Sequence, residues 1–244
     1  MSRRRVIGSY LSPYVRKVLV SLGEKGLDYE IDPIVPYFGN DEFTRLSPLR
    51  EIPVLLDGDL TISDSTVILE YLEDRYPEPA LRPATAEDRA RCRWLEEYAD
   101  VRMGEVFVWK LFFHRVIAPN LWGRKPDDAA IRSALEEEIP AILDYLEGRL
   151  PVEGWLFGAL STADVSIAAV FRNAFLAGFR LDASRWPRTA RFVETLHAHP
   201  SFERLRRFED LSLRTPPPKH RTVLRDAGAP ISEETVGTDS PRPA

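Results

Sequence analysis

Hydrophobic and polar positions at the start of the chain form a short apolar run, a polar loop and then a helical repeat. Ser12 and Pro13 stand where that helix begins, because serine is a favoured N-cap and proline is tolerated at the first helical position. Gly26 is suited to end it. Four apolar residues are spaced i, i+3, i+4 and i+7, which is one helical face: Val15, Val18, Leu19 and Leu22.

The pattern alternates between strands and helices up to about residue 76. Residues 28–34 have the pattern of a strand that ends at a proline, and residues 40–46 that of a polar helix or loop. Two apolar strands at residues 52–56 and 60–62 are joined by Asp-Gly-Asp, a strong hairpin signal, and a capped helix follows over residues 63–76. The order β-α-β-α-β-β-α predicts a mixed sheet covered by helices.

A proline-rich stretch at residues 78–84 divides the chain and is predicted to be a linker. Before it, residues 1–77 are predicted to form an α/β domain. After it, residues 85–210 are helical throughout, with long helical patterns over residues 86–114 and 127–148. The chain is therefore expected to contain an α/β domain followed by an all-α domain.

A further helix start is marked by Ser161. This serine is placed as an N-cap, and Asp164 follows three residues later, which is the spacing of a capping box. Two shorter helices are predicted at residues 187–198 and 201–208. All of these elements belong to the predicted helical domain.

The last part of the chain, residues 211–244, lacks the means to form a packed core. It contains no aromatic residue, and it has three consecutive prolines at positions 216–218 among charged residues, glycine and serine. Such a composition is typical of chain that does not fold on its own. The sequence therefore predicts a disordered or surface-draped tail.

Composition excludes several classes of function. The formal net charge of −5 disfavours a nucleic-acid binder. No apolar run approaches the roughly 20 residues that span a membrane, and the N-terminus lacks the apolar core of a secretory signal. Cys92 stands alone, and the four histidines offer no helical i, i+4 pair. We therefore expect a cytoplasmic protein without metal, membrane or nucleic-acid partners.

Two predicted helix starts carry hydroxyl groups where an anion could bind. A helix N-terminus offers free N–H groups and partial positive charge. Ser12 lies at the mouth of the first start, while at the second Asp64 could hold an ammonium group and Ser65 a carboxylate. From these residues alone, a simple capping role is the preferred interpretation at both helix starts. Pro53 begins a strand, where a proline is either an edge residue or follows a cis peptide bond.

Four short segments carry a resemblance to a known family. They are SPYVR at residues 12–16, REIPVL at 50–55, DSTVI at 64–68 and GALSTAD at 158–164. In this order, with a proline-rich linker between the third and the fourth, they resemble the cytosolic glutathione transferases of serine type over about residues 4–209. The resemblance implies a thioredoxin-like N-terminal domain followed by an all-α helical-bundle domain.

The resemblance also implies roles for residues near the first helix and the proline. Ser12 is expected to donate a hydrogen bond to the glutathione sulfur, with Ser9 and Tyr10 as rival donors. Pro53 is expected to follow a cis peptide bond, which lets the Ile52 backbone pair with the cysteinyl part of glutathione.

Further roles concern the two ends of glutathione. Asp64 and Ser65 are implied to bind its γ-glutamyl group. Glu51 departs from the family, which often has a basic or amide residue here that helps to hold the glycine carboxylate. Arg50 or another basic residue is expected to take that task.

The pocket for a second substrate is expected along the first helix of the helical domain. Aromatic residues at helical spacing also occur in cores, so this assignment competes with plain packing. An apolar wall would suit hydrophobic electrophiles. The candidate lining residues are Tyr98, Arg102, Val106 and Trp109, together with Tyr10 from the first domain.

The function predicted from the resemblance is that of a homodimeric glutathione transferase in detoxification. It would activate the glutathione thiolate for attack on small hydrophobic electrophiles, with glutathione as co-substrate and no metal. Two alternatives stay open. One is a glutathione-dependent lyase, dehalogenase or peroxidase with a narrow substrate, and the other is a non-catalytic binding or assembly module of the same fold.

Overall fold

The structure, a computed structural model, describes residues 4–242. Residues 1–3 of the predicted α/β domain and residues 243–244 of the predicted tail lie outside the described part. The described residues form two compact units. One contains residues 4–79 together with 201–242, and the other is Ala80–Pro200. The division near residue 79 lies within the predicted linker. The last helices and the tail, however, belong to the first unit and not to the helical one.

The first unit contains a four-stranded mixed sheet in the order β2-β1-β3-β4. β1 pairs with β2 in parallel and with β3 in antiparallel fashion, and β3 pairs antiparallel with β4. The parallel pair is joined by a helical crossover and the β3–β4 pair by the predicted Asp-Gly turn. The strands are β1 (Arg4–Ile7), β2 (Tyr29–Asp32), β3 (Val54–Asp57) and β4 (Leu60–Ser63).

Helix α1 (Pro13–Glu24) connects β1 to β2, α2 (Asp41–Leu46) lies between β2 and β3, and α3 (Ser65–Arg75) follows β4. The N-caps of these helices are Ser12, Asn40 and Asp64. The side chain of each N-cap accepts one or two backbone N–H groups from the first turn of its own helix. The apolar face predicted for α1 is fully buried. The mixed sheet covered by helices is thus confirmed.

The second unit is helical, as predicted. Its first helix changes from α to π hydrogen bonding along its length, and the Ala118 N–H donates to the Phe113 carbonyl. Its core includes the edge-to-face pair Phe107 and Phe171, whose ring centroids are 5.1 Å apart. The helices are α4 (Ala86–Tyr98, Ala99–Ile117 and Ala118–Trp122), α5 (Asp128–Ser133, Ala134–Glu138 and Ile139–Glu147), α6 (Thr162–Leu176) and α7 (Pro187–His197).

The predicted capping box forms at the start of α6. The Asp164 carboxylate accepts the backbone N–H of Ser161 at 2.9 Å, the hydroxyl of Ser161 at 2.5 Å and the N–H of Leu156 at 3.0 Å. The side chain is fully buried, and burial raises the pKa of Asp164 in opposition to these hydrogen bonds. One carboxylate therefore fastens both the helix start and the loop that precedes it.

Residues after 210 were predicted to be disordered or draped on the surface, and the disordered alternative is corrected for residues 211–242. Helix α8 (Pro200–Arg214) is longer than predicted, and α9 (His220–Asp226) follows it. The chain then runs along the β2 edge, where Ile231 bridges to Ile31. Composition missed this because the tail does not build a core of its own. It packs on a sheet edge and core that the N-terminal residues supply.

We predict that Asp164→Ala destabilises the protein by about 3 kcal/mol, because it removes charge-assisted hydrogen bonds and leaves buried donors unpaired. Chemical denaturation would measure the loss. Asp182→Ala is the matched control, since the exposed Asp182 carboxylate also accepts a local N–H, that of Ser184. We expect a loss below about 1 kcal/mol there. Equal losses in the two variants would contradict this prediction.

Candidate active site

The strand register brings three segments to one end of the sheet. Ile7 of β1 lies opposite Val54 of β3, and Val54 lies opposite Ser63 of β4. The residues just beyond these pairs, Gly8, Pro53 and Asp64, are therefore neighbours at the same end. The predicted serine loop, the proline segment and the acid-serine segment converge there.

Gly8 allows the first two of these segments to pack closely. Its φ is 151°, and a Cβ there would lie 2.4 Å from Cγ2 of Val15 and 3.1 Å from Cβ of Ile52. A larger residue would push α1 and the proline segment apart. The Ile52–Pro53 peptide bond is cis, as the sequence analysis expects.

Ser12 is the N-cap of α1. Its Oγ accepts the backbone N–H of Val15 at 3.3 Å, and its side chain is partly exposed. Because the oxygen acts as acceptor in this contact, the hydroxyl proton can still be donated to a ligand. The partial positive charge at the N-terminus of a 12-residue helix further favours an anion at this position.

The rival donors are placed differently. Ser9 is buried, and its Oγ accepts the backbone N–H of Leu11 at 3.2 Å. Tyr10 is 1% exposed, its ring packs on Phe208 with centroids 5.1 Å apart, and burial raises the pKa of Tyr10 far above its ordinary value. Tyr10 is a core residue, so its prediction as a thiol donor or as part of a substrate pocket is corrected.

Asp64 and Ser65 open α3. The Asp64 carboxylate accepts the N–H groups of Thr66 at 2.8 Å and Val67 at 3.0 Å, and the Asp64 backbone has a φ of 83°. A positive φ is unfavourable for a residue with a side chain, and such conformations cluster at ligand sites. Ser65 is buried at the first position of the helix.

Two buried charges beneath the site were missed by sequence reasoning. Lys17 is 1% exposed, and its Nζ donates to the Thr66 hydroxyl at 3.2 Å, which ties α1 to the first turn of α3. Arg16 is fully buried, contacts Glu209 at 2.5 Å and donates to the Tyr10 carbonyl at 3.2 Å. The available signal was two consecutive cations on α1 within two turns of Ser12.

Arg50 is turned toward the loop between β2 and α2. Its guanidinium donates to the Thr44 hydroxyl at 2.5 Å and to the carbonyls of Pro36 at 3.0 Å and Gly39 at 2.9 Å. It also lies over the ring of Phe43. Arg50 therefore holds this loop together, and these contacts disfavour its predicted role as a direct ligand of a carboxylate.

The residues of α4 that were predicted to line a second-substrate pocket differ in their exposure. Val106 is fully buried in the helical unit, so its assignment to a pocket is corrected. Trp109 is 51% exposed. The other two are engaged with neighbours: Tyr98 stacks on Tyr145 with centroids 4.4 Å apart, and Arg102 contacts Glu105 and Glu138, each at 3.1 Å.

Glu138 contacts two cations of the helical unit, Arg102 and Lys110. Burial acts to raise the pKa of Glu138, but Lys110 and Arg102 outweigh it, and the pKa lies below its ordinary value.

In residues 4–242, no group of three or more histidine, cysteine, aspartate or glutamate side chains is arranged to hold a metal ion. Within the same residues, no helix is both long and apolar enough to cross a membrane.

Comparison with known proteins agrees with this geometry. The family described as "Glutathione S-transferase, N-terminal domain" matches residues 6–80. The uncharacterized GST-like protein YibF of Escherichia coli K12 is 32% identical over 206 residues, which cover 82% of this chain and 96% of that protein. The chain therefore belongs to the glutathione S-transferase family.

Two solved structures are similar over most of the chain. A glutathione S-transferase from Rhodospirillum rubrum F11 has a TM-score of 0.76 and 32% identity, over 83% of this chain and 91% of that one. A glutathione S-transferase from Methylobacterium radiotolerans, in complex with glutathione sulfonate, has a TM-score of 0.69 and 27% identity, over 83% and 94%. The second shows that a protein of this fold binds a glutathione derivative.

Proposed function

We propose that this protein is a glutathione transferase that activates the glutathione thiolate for attack on small hydrophobic electrophiles. The observation that carries the proposal is the meeting of the Ser12 helix start, the Ile52–Pro53 segment and the Asp64–Ser65 helix start at one end of the sheet. The similarity to a transferase that binds glutathione sulfonate supports the choice of ligand. The proposed site of action is the cytoplasm.

Ser12 is the proposed thiol activator. A free thiol has a pKa of about 8.5, so a decrease of ~2 units requires about 2.7 kcal/mol of preferential stabilisation of the thiolate. A hydrogen bond to a charged group contributes ~1.5–3 kcal/mol, and a helix N-terminus adds about 0.3–1 kcal/mol. These two contributions suffice without a general base. Holding both reactants in one site supplies much of the remaining rate.

The other parts of glutathione would bind to residues at the same end of the sheet. The Ile52 backbone, just before Pro53, would pair with the cysteinyl residue as an added strand does. Asp64 would bind the α-ammonium group of the γ-glutamyl residue, while the N-terminus of α3 and the Ser65 hydroxyl would bind its carboxylate. The ammonium and the carboxylate would thus meet groups of opposite charge or dipole.

We also propose a homodimer. Trp94 and Val101 lie seven residues apart on α4 and are 57% and 59% exposed. Large apolar side chains that are this exposed are candidates for burial against a partner. The family to which the chain belongs supports a second copy as that partner.

We predict that Ser12→Ala raises the pKa of the bound thiol by about 1–2 units and lowers kcat at neutral pH, because the thiolate loses a hydrogen bond. Thiolate absorbance of the glutathione complex as a function of pH measures the pKa. Ser9→Ala is the comparison variant, because Ser9 is a serine of the same loop that is buried, whereas Ser12 is partly exposed. If Ser9→Ala shifts the pKa and Ser12→Ala does not, the assignment is wrong.

Ser65→Ala tests the other end of the ligand. We predict a roughly tenfold higher KM for glutathione with little change in kcat, because the hydroxyl binds the ground state and the transition state alike. Steady-state kinetics with varied glutathione would measure both constants. An unchanged KM would mean that Ser65 only begins the helix.

The dimer is tested by light scattering coupled to gel filtration. We expect the wild type to have twice the chain mass of 27.8 kDa and Trp94→Glu/Val101→Glu to have that mass once, because buried charge opposes association. Val152→Glu is the control, since Val152 is 57% exposed on a loop of the helical unit. A monomeric wild type would overturn this proposal.

A further inference from the structure

The segment after α9 extends the sheet at its β2 edge. The Ile31 N–H donates to the Pro230 carbonyl at 2.8 Å, and the Ser232 N–H donates to the Ile31 carbonyl at 3.0 Å. An edge strand offers unpaired backbone groups, and these bonds satisfy part of that edge. Residues 230–242, here termed the strap, therefore begin as an addition to the sheet.

Asp32, the last residue of β2, anchors the strap. It is 1% exposed, and its carboxylate accepts from Arg221 at 2.6 Å, from the Thr235 hydroxyl at 2.9 Å and from the Val236 N–H at 2.8 Å. A buried carboxylate needs such partners, because an unpaired charge in the interior is costly. The end of β2 and the strap thus depend on each other.

Arg221 of α9 fixes the shape of the strap. Besides its contact with Asp32, its guanidinium donates to three successive carbonyls, those of Ser232 at 2.7 Å, Glu233 at 3.1 Å and Glu234 at 3.3 Å. One planar cation holds the turn by four acceptors, a geometry that lysine could not reproduce.

Val236 carries the strap into the core of the first unit. It is 3% exposed and belongs to a cluster against which Ile52 also packs. The residue just before the cis proline is thus supported by the same apolar cluster as the strap. The buried members of this cluster are Ile7, Ile34, Phe43, Val54 and Val236.

The strap also holds the loop between β2 and α2. The Asn40 N–H donates to the Val236 carbonyl at 2.8 Å, the Thr238 N–H to the Phe38 carbonyl at 2.7 Å, and the Arg242 N–H to the Tyr37 carbonyl at 2.8 Å. Arg50, two residues before Ile52, binds the Pro36 and Gly39 carbonyls of the same loop. The loop is therefore held by the strap and by the segment that leads to the cis proline.

We propose that the strap is a positioning element of the glutathione site, with Arg221 and Val236 as its positioning residues. This inference rests on the proposed function, because it assigns the ligand to the site beside Ile52. The strap orders the loop at residues 36–40 and, through the shared cluster, the backbone of Ile52. Because these groups are already ordered before glutathione binds, less conformational entropy is lost on binding. The strap therefore strengthens binding without touching the reacting sulfur.

The test uses the full chain in four forms: wild type, Arg221→Gln, Val236→Ala and the control Arg225→Gln. Arg225 is an exposed residue of the same helix, so its substitution makes the same change of charge. Amide hydrogen exchange of Asn40, whose partner is the Val236 carbonyl, reports on the loop without any ligand. Calorimetry with glutathione and steady-state kinetics report on the site.

We expect Arg221→Gln and Val236→Ala to speed exchange of the Asn40 amide and to raise the Kd and KM for glutathione roughly tenfold, with kcat within about twofold of wild type. Arg225→Gln should match wild type in every measurement. Circular dichroism and thermal unfolding establish that the variants remain folded. Because Arg221→Gln changes a partly exposed side chain and Val236→Ala a buried one, agreement between them excludes general core damage.

Two outcomes overturn the inference alone. Faster exchange with an unchanged Kd would reduce the strap to protection of the sheet edge, and unchanged exchange would mean that it does not order the loop. If wild type fails to bind glutathione, the proposed function falls, and the ligand assigned here falls with it. A decrease in kcat with an unchanged KM would also contradict the inference, because positioning of bound glutathione requires an effect on binding.

Discussion

The pairing of β3 with two neighbours is the constraint on which the candidate site depends. β3 lies between β1 and β4, and Val54 is the residue at which both ladders end. Since side chains alternate between faces, a slip of one residue would turn Val54 out of the core and move Pro53 away from Gly8 and Asp64. The apolar residues that hold this register therefore also bring the residues of the candidate site together at the end of the sheet.

The site combines two helix starts with cations beneath them. Ser12 and Asp64 each accept N–H groups of their own helices, and both helix dipoles present partial positive charge there. Lys17 joins α1 to the first turn of α3, while Arg16, paired with Glu209, donates to the Tyr10 carbonyl of the loop before Ser12. Backbone orientation and fixed charge thus both contribute to the anion binding that we propose for this site.

Local signals allowed much of this structure to be predicted. The Ser12–Pro13 helix start and the Ser161 capping box each lie within a few residues of chain, where capping chemistry acts directly. The burial of Tyr10 and the ordered structure of the tail could not be predicted in this way. Tyr10 is buried by Phe208 and the tail is ordered by Asp32, so each depends on a residue far along the chain that composition and periodicity do not connect to it.

Backbone conformation gives an independent reason to regard this end of the sheet as functional. Within residues 4–242, the non-glycine residues with positive φ are Arg50, at 55°, and Asp64, at 83°. Each conformation carries a cost of about 1–3 kcal/mol, which persists only where surrounding contacts determine it. Arg50 is held by two carbonyls and a hydroxyl, and Asp64 by two N–H groups. Arg50 lies three residues before Pro53, and Asp64 lies beside Pro53 at the end of the sheet. The two unfavourable conformations therefore coincide with the site where a ligand would bind.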